Sequence, residues 1–280
     1  MMAEAFAPTV PTIGGILLAM ALVALIETAV PLHARGRWRR FHVGPNLALT
    51  FLTFATNALM NAALVTMLFA LEARGFGLLR LVSLPPLATG IVTVLVLDFA
   101  FYACHVAMHR VPGFWRYHRV HHADPAVDVT TSIRQHPGES VIRYAFITAF
   151  AFVIGASPGA FAVYRAWSAL NALLEHADFR APLWLDRALS LVTTWPYMHK
   201  VHHSRLAGET NTNYGNIVSL FDRVFGTFTP SRRGVQVVYG LNGFDDPAMQ
   251  TTAGLLAMPF RDARSAAALP AWADGRVEAR

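Results

Sequence analysis

Residues 87–122 read LATGIVTVLVLDFAFYACHVAMHRVPGFWRYHRVHH. The first part, Leu87 to about Ala107, is an apolar run interrupted by little more than Asp98. A helix needs about 20 such residues to cross the hydrocarbon core of a bilayer. The second part carries His105 and His109, four apart, then His118, His121 and His122. Residues three and four apart share one face of a helix. The stretch therefore predicts a membrane helix whose end, with the helix after it, presents imidazoles to a common centre.

The pattern recurs. His199-Lys-Val-His202-His203 repeats the HxxHH spacing of His118-Arg-Val-His121-His122, with a basic residue and a valine between. Ten of the twelve histidines lie between His105 and His203, with His136 and His176 as single members. Helices of a bundle build metal sites by aiming such side chains inward. Neutral imidazole suits iron, zinc, copper and nickel better than magnesium or calcium. The number of imidazoles exceeds what one ion takes, so two metals are expected. His33 and His42 lie outside the window, beside a basic segment, and are expected to face water or lipid head groups. Cys104 points about 100° away from His105 on a helix, which assigns it to packing.

The 280-residue chain is 54% hydrophobic and 14% charged, with a net charge of +6. An average soluble domain has about 25% charged residues. The apolar runs make a bilayer, and not nucleic acid, the partner of this basic chain. A single cysteine excludes a disulfide framework.

Ile13–Leu32, Asn46–Leu71 and Leu87–Ala107 read as three spans, the first as a retained anchor and not a cleaved signal. Arg35, Arg37, Arg39 and Arg40 place the first loop in the cytoplasm by the positive-inside rule, and the histidines fall on the same side. Val141–Leu174 is apolar again but broken at Gly155-Ala-Ser-Pro158-Gly159, which predicts a re-entrant hairpin keeping His136 and His176 together. Leu183–Tyr197 reads as interfacial. The expected fold is an all-α membrane protein of about three to four transmembrane helices plus that hairpin, with a cytoplasmic helical cap carrying the histidines. It forms one domain: anchor helices over 1–90, the histidine region over 91–230 and a tail over 231–280.

Asp98 lies two turns before His105 and is expected to orient a histidine ring as a hydrogen-bond acceptor. Glu175 and Asp178 flank His176 and are candidates for the same role, as is Glu139, also expected to pair with Arg134.

Together these pieces resemble the membrane-bound fatty acid hydroxylase / sterol desaturase family. The resemblance covers roughly residues 95–230. It is carried by Asp98…His105-Val-Ala-Met-His109, Trp115-Arg-Tyr-His118-Arg-Val-His121-His122 and Arg134-Gln-His136-Pro-Gly-Glu139. It continues through Glu175-His176-Ala-Asp178, Pro196-Tyr-Met-His199-Lys-Val-His202-His203, Asn213-Tyr-Gly-Asn216 and Asp222-Arg-Val-Phe-Gly-Thr227. It implies a non-haem di-iron centre, open to substitution by zinc in purified protein, that uses O₂ to hydroxylate or desaturate a lipid. It also implies a separate electron donor, a ferredoxin or a cytochrome b5-like protein with its reductase. The implied ligands are His105, His109, His118, His121, His122, His136, His176, His199, His202 and His203, with no catalytic residue beyond them. Asn213 and Asp222 are expected to be structural.

Rival chemistries fit less well. A zinc hydrolase would carry a base beside its ligands, as in HExxH, and no such motif occurs. A c-type cytochrome would need CxxCH, which is also missing. A divalent-metal transporter or metal-binding protein is the alternative, but transporters hold their cargo near the bilayer midplane, whereas most of these histidines fall at the ends of the apolar runs or beyond them.

Overall fold

A computed structural model describes residues 9–33, 38–231 and 236–262. Helices α1 (Thr9–Ala29), α2 (Trp38–Ala73), α3 (Pro86–Arg110) and α5 (Pro137–Ile154) are the long apolar elements. Four segments, Pro11–Ala29, Phe41–Arg80, Pro86–Arg110 and Pro137–Ile154, are long and apolar enough to cross a membrane. Helix α4 (Pro112–His122) follows α3, and α6 (Pro158–His176) follows α5. Shorter helices complete the set: α7 (Leu183–Leu189), α8 (Pro196–His202), α9 (Ala207–Thr210), α10 (Leu220–Val224) and α11 (Thr252–Ala257). Among the described residues there is no β-strand, only the isolated bridges Pro31–Phe179 and Thr193–Val218.

Helix boundaries follow local chemistry. Pro86, Pro112, Pro137, Pro158 and Pro196 each open a helix, where the missing N–H costs nothing and φ is already set. Val111, extended ahead of Pro112, turns the chain between α3 and α4. That turn lets the histidines of one helix face those of the next. The connection from α5 to α6 turns at Gly155 at φ +65°, after which the Ser157 hydroxyl accepts from Ala160 N–H to start α6. A Cβ on Gly77 would lie 2.2 Å from the Gly155 Cα, so the connector before α3 can approach that turn only as glycine. With 18 residues, α5 is itself long enough to span, more than the short hairpin arm expected from sequence.

The apolar core joins α2, α3, α5 and α6 through Leu64, Leu68, Leu97, Ile147, Phe161 and Tyr164. Behind the histidines lies a second, polar core. Asp124 accepts from Asn46 at 2.8 Å and Thr131 at 2.7 Å, and its Oδ1 lies 3.0 Å from His42 Nδ1. His42 Nε2 reaches Asp128 at 3.4 Å. Arg134, fully buried, donates to Val120 O, Asn46 Oδ1 and Gln250 Oε1. This corrects two expectations. His42 does not face water: it is 1% exposed and is tied to two carboxylates. Arg134 does not pair with Glu139, because its three donor directions are used by α2, α4 and the segment before α11. His33 is likewise turned inward, with Nδ1 2.6 Å from Asp178.

Of the arginines that orient the first loop, Arg39 and Arg40 lie in the first turn of α2, whereas Arg35 and Arg37 lie outside the described residues, as do 1–8, 232–235 and 263–280. Residues 236–262 fold back onto α4, where the Arg119 guanidinium donates to the carbonyls of Met258 and Arg261 and lies 4.6 Å above the Phe244 ring.

Burial makes the polar core a test of stability. Removing one partner of a buried charged network costs about 3–5 kcal/mol. Asp124→Ala should therefore lose stability of that order in detergent unfolding measurements.

Candidate metal centre

Nine histidines converge as two adjacent nests. His105, His109, His118, His122 and His202 form one, and His121, His176, His199 and His203 form the other, with ligand atoms in each within 4.8 Å of one another. Both HxxHH helices are divided between them. α4 gives His118 and His122 to the first nest and His121 to the second. α8 and its C-cap give His199 and His203 to the second and His202 to the first. The i, i+4 pair keeps one direction while the residue at i+3 is rotated off it, so each motif serves both centres. His105 and His109 come from the last turns of α3, and His176 from the end of α6.

Ring protonation follows from the partners. His105 Nδ1 lies 2.8 Å from Tyr214 O, His176 Nδ1 2.7 Å from Ala172 O, and His202 Nδ1 2.7 Å from Thr212 O. A carbonyl only accepts, so Nδ1 carries the proton and Nε2 presents its lone pair. His109 Nδ1 faces Asn211 Oδ1 at 3.2 Å, with the Asn211 amide nitrogen committed to Ala207 O. In the second nest the lone pair of His176 Nε2 faces three Nε2 atoms, of His121 at 3.0 Å, His199 at 3.1 Å and His203 at 3.1 Å. One lone pair accepts one hydrogen, so mutual hydrogen bonding cannot satisfy this set. His202 Nε2 is buried with no hydrogen-bond partner. Inward lone pairs at such separations fit metal cations.

The surroundings keep the rings neutral. Burial lowers His202 to about 4 and His176 to about 3. Burial, then the neighbouring imidazoles, hold His121, His122, His199 and His203 well below the ordinary histidine range. Neutral imidazole is the form that binds metal. Eight of the nine rings are buried, and His109 is half-buried, beneath Trp115 at 5.0 Å between ring centroids.

The carboxylates divide. Glu139 lies 3.2 Å from His118 Nδ1 while pairing with Arg143, so it backs a nest ring. Glu175 Oε1 lies 3.8 Å from both His176 Nδ1 and His199 Nε2. Asp98, expected to hold a ring, instead accepts from the backbone of Ile217 and Val218 at 3.1 and 3.0 Å, fixing the loop that presents Tyr214. Asp178 turns from the nests to His33 and to Lys200 Nζ, 3.4 Å away. His136 is not brought to either nest. It caps α5, its Nδ1 accepting from Gly138 N–H, and its Nε2 lies 3.3 Å from Leu256 O.

Asn213 and Asp222 brace the site. Asn213, at φ +56°, donates to Met198 O and Thr229 O, while Asp222 accepts from Tyr214 N–H, Gly215 N–H and the Thr227 hydroxyl. Sequence reasoning missed Asn211 and the carbonyls of Ala172, Thr212 and Tyr214. Only Asn211 left a signal, in the polar run preceding Asn213-Tyr-Gly-Asn216.

Residues 90–227 match the fatty acid hydroxylase family. An alkylglycerol monooxygenase of Xenopus tropicalis is 32% identical over 54% of this chain and 32% of its own length. An ornithine lipid hydroxylase of Rhizobium tropici is 30% identical over 56% of this chain and 47% of its own. A putative methylsterol monooxygenase of Dictyostelium discoideum is 28% identical over 55% of this chain and 57% of its own. The matched stretch thus spans about a third to about half the length of the first relatives. No solved structure matches.

The geometry separates His176 from His136. His176→Ala should lower the metal bound after reconstitution, whereas His136→Ala should leave it at the wild-type value; elemental analysis of purified protein checks both.

Proposed function

We propose, from the match of residues 90–227 to the fatty acid hydroxylase family, that this chain is a membrane-embedded lipid hydroxylase with a di-iron centre. The observation that carries this reading is the pair of adjacent nests of five and four imidazoles, gathered where α3 and α6 end and on the short helices α4 and α8. His105, His109, His118, His122 and His202 would hold one iron; His121, His176, His199 and His203 would hold the other. Such a pair, when bound, supplies O₂ activation for oxidation of a C–H bond, drawing electrons from a separate ferredoxin or cytochrome b5-like donor.

The chain's own part is orientation and exclusion of water. Main-chain carbonyls fix three rings in the metal-binding tautomer, and Glu139 stands at the outer nitrogen of His118. Such outer partners set ring direction and ligand basicity. Burial of eight rings shields the centre. An apolar groove of about 640 Å³ between α2 and α5 is lined by Met60, Leu64, Met67, Tyr144, Ala149 and Phe152. It lies within two of the membrane-spanning segments, where a hydrophobic substrate arrives. The basic residues Arg35, Arg37, Arg39 and Arg40 support placing the centre on the cytoplasmic side. Transport of a metal is the weaker reading, because eight of the nine rings are buried and the rings of His105, His109, His176 and His202 are held from behind by hydrogen bonds at Nδ1, which favours retention over passage.

The test is anaerobic reconstitution of detergent-purified protein with ferrous iron, then metal counting and O₂ consumption with a reductant and a lipid extract. About two irons per chain is expected, as in other bundle di-iron sites, with lipid-stimulated uptake lost in His121→Ala. Uptake unchanged in that variant, or less than one metal per chain, would refute the reading.

A further inference from the structure

The two nests are unequal. The first offers five nitrogens and the second only four. First-row divalent ions outside strictly tetrahedral zinc sites commonly take five or six ligands. Something should stand beside the second nest, and Glu175 does. Its Oε1 lies 3.8 Å from His199 Nε2, a nitrogen that points into the nest. Two ligands sharing one ion through bonds of about 2.0–2.2 Å sit roughly 3 Å apart. The carboxylate is thus within a small side-chain adjustment of the ion's own shell.

Its other partners leave it free to make that bond. Glu175 is 3% exposed, and no Lys or Arg among the described residues lies within ion-pair distance of it. Its one hydrogen bond comes from Asn171 Nδ2 at 3.4 Å, and that amide is held more closely by Asn216 O at 2.7 Å and Thr194 O at 3.2 Å. The neighbouring acids are committed elsewhere: Glu139 to Arg143, Asp178 to Lys200 and His33, Asp98 and Asp222 to backbone amides. A buried carboxylate without a cation is costly. So is a pair of divalent ions ringed only by neutral imidazoles. Each removes the other's cost.

We propose that Glu175 is a direct oxygen ligand of the metal in the four-histidine nest, so that the pair of ions sits in one all-nitrogen and one mixed nitrogen–oxygen shell. This rests on the two-metal reading above, and differs from the outer supporting role that sequence alone assigns to Glu175.

The test is anaerobic titration of detergent-purified protein with Co(II), followed by metal counting and the visible ligand-field spectrum, for wild type, Glu175→Gln and Glu175→Asp. Wild type should bind in two steps. Glu175→Gln, nearly isosteric, should weaken one step by about 10-fold or more and remove one component of the spectrum. The step belonging to the five-histidine nest should stay unchanged, which doubles as a control for folding. Glu175→Asp, a shorter carboxylate, should restore part of the lost affinity. Two unaltered steps and an unaltered spectrum in Glu175→Gln would overturn the assignment. Because the readout is metal binding and not turnover, the outcomes separate. A wild type that binds two ions yet takes up no oxygen with lipid after iron loading speaks against the hydroxylase reading and not against the ligand.

Discussion

The architecture depends on one electrostatic constraint: nine imidazoles are brought together with several of their lone pairs pointing inward. Nitrogen lone pairs about 3 Å apart repel unless a proton or a cation lies between them. At least three rings have spent their proton on a main-chain carbonyl behind them, at Tyr214, Ala172 and Thr212. The carbonyls hold the rings outward while the centre is left in need of positive charge. A cation held there would be bound only by the folded chain, so its binding would add to folding stability, as in other sites where ligand geometry exists only in the folded state.

That constraint explains the polar contacts that brace the elements carrying the nests. The carbonyl that holds His105 belongs to a loop kept in shape by Asp222 beneath Tyr214 and Gly215, and by Asp98 beneath Ile217 and Val218. The basic residue inside each HxxHH motif serves the same end from the opposite face. Arg119 ties α4 to the carbonyls of Met258 and Arg261. Lys200 ties α8 to the carbonyls of Val127 and His176 and to Asp178. One position past the first histidine, a helical side chain projects about 100° away from it. A cation there points away from the nests and locks the helix to its surroundings.

The histidine spacings and the apolar runs were legible in the sequence because both are periodic. An i, i+3, i+4 set marks a helix face, and about 20 apolar residues mark a span. Cys104 falls where its helical position puts it, buried away from the nests. The division of each HxxHH motif between two nests was not legible, because spacing gives a face but not how many centres that face meets. The main-chain carbonyls had no side-chain signature. Asp98 was misread for a related reason. A carboxylate two turns from His105 along α3 lies on the same helical face, yet α3 at that level packs against the 214–218 loop, whose free amides compete for it. His42 was misread because a histidine next to a basic stretch looks solvated, while its partners Asp124 and Asp128 lie more than 80 residues away in sequence.

The placement of charge relative to the membrane follows from the same reasoning. Bringing ionised groups to the middle of a bilayer costs several kcal/mol or more each. Here the imidazoles emerge at the last turns of α3, on α4 and α8, and at the end of α6, so the nests do not draw on the apolar midsections. The long helices instead contribute alignment: α3 presents His105 and His109 one turn apart, and Val111-Pro112 turns the chain so that α4 faces them. On the proposed function, a centre placed where apolar helices end would meet a substrate from the bilayer and an electron donor from the aqueous side. Neither a soluble bundle nor a fully immersed one offers both.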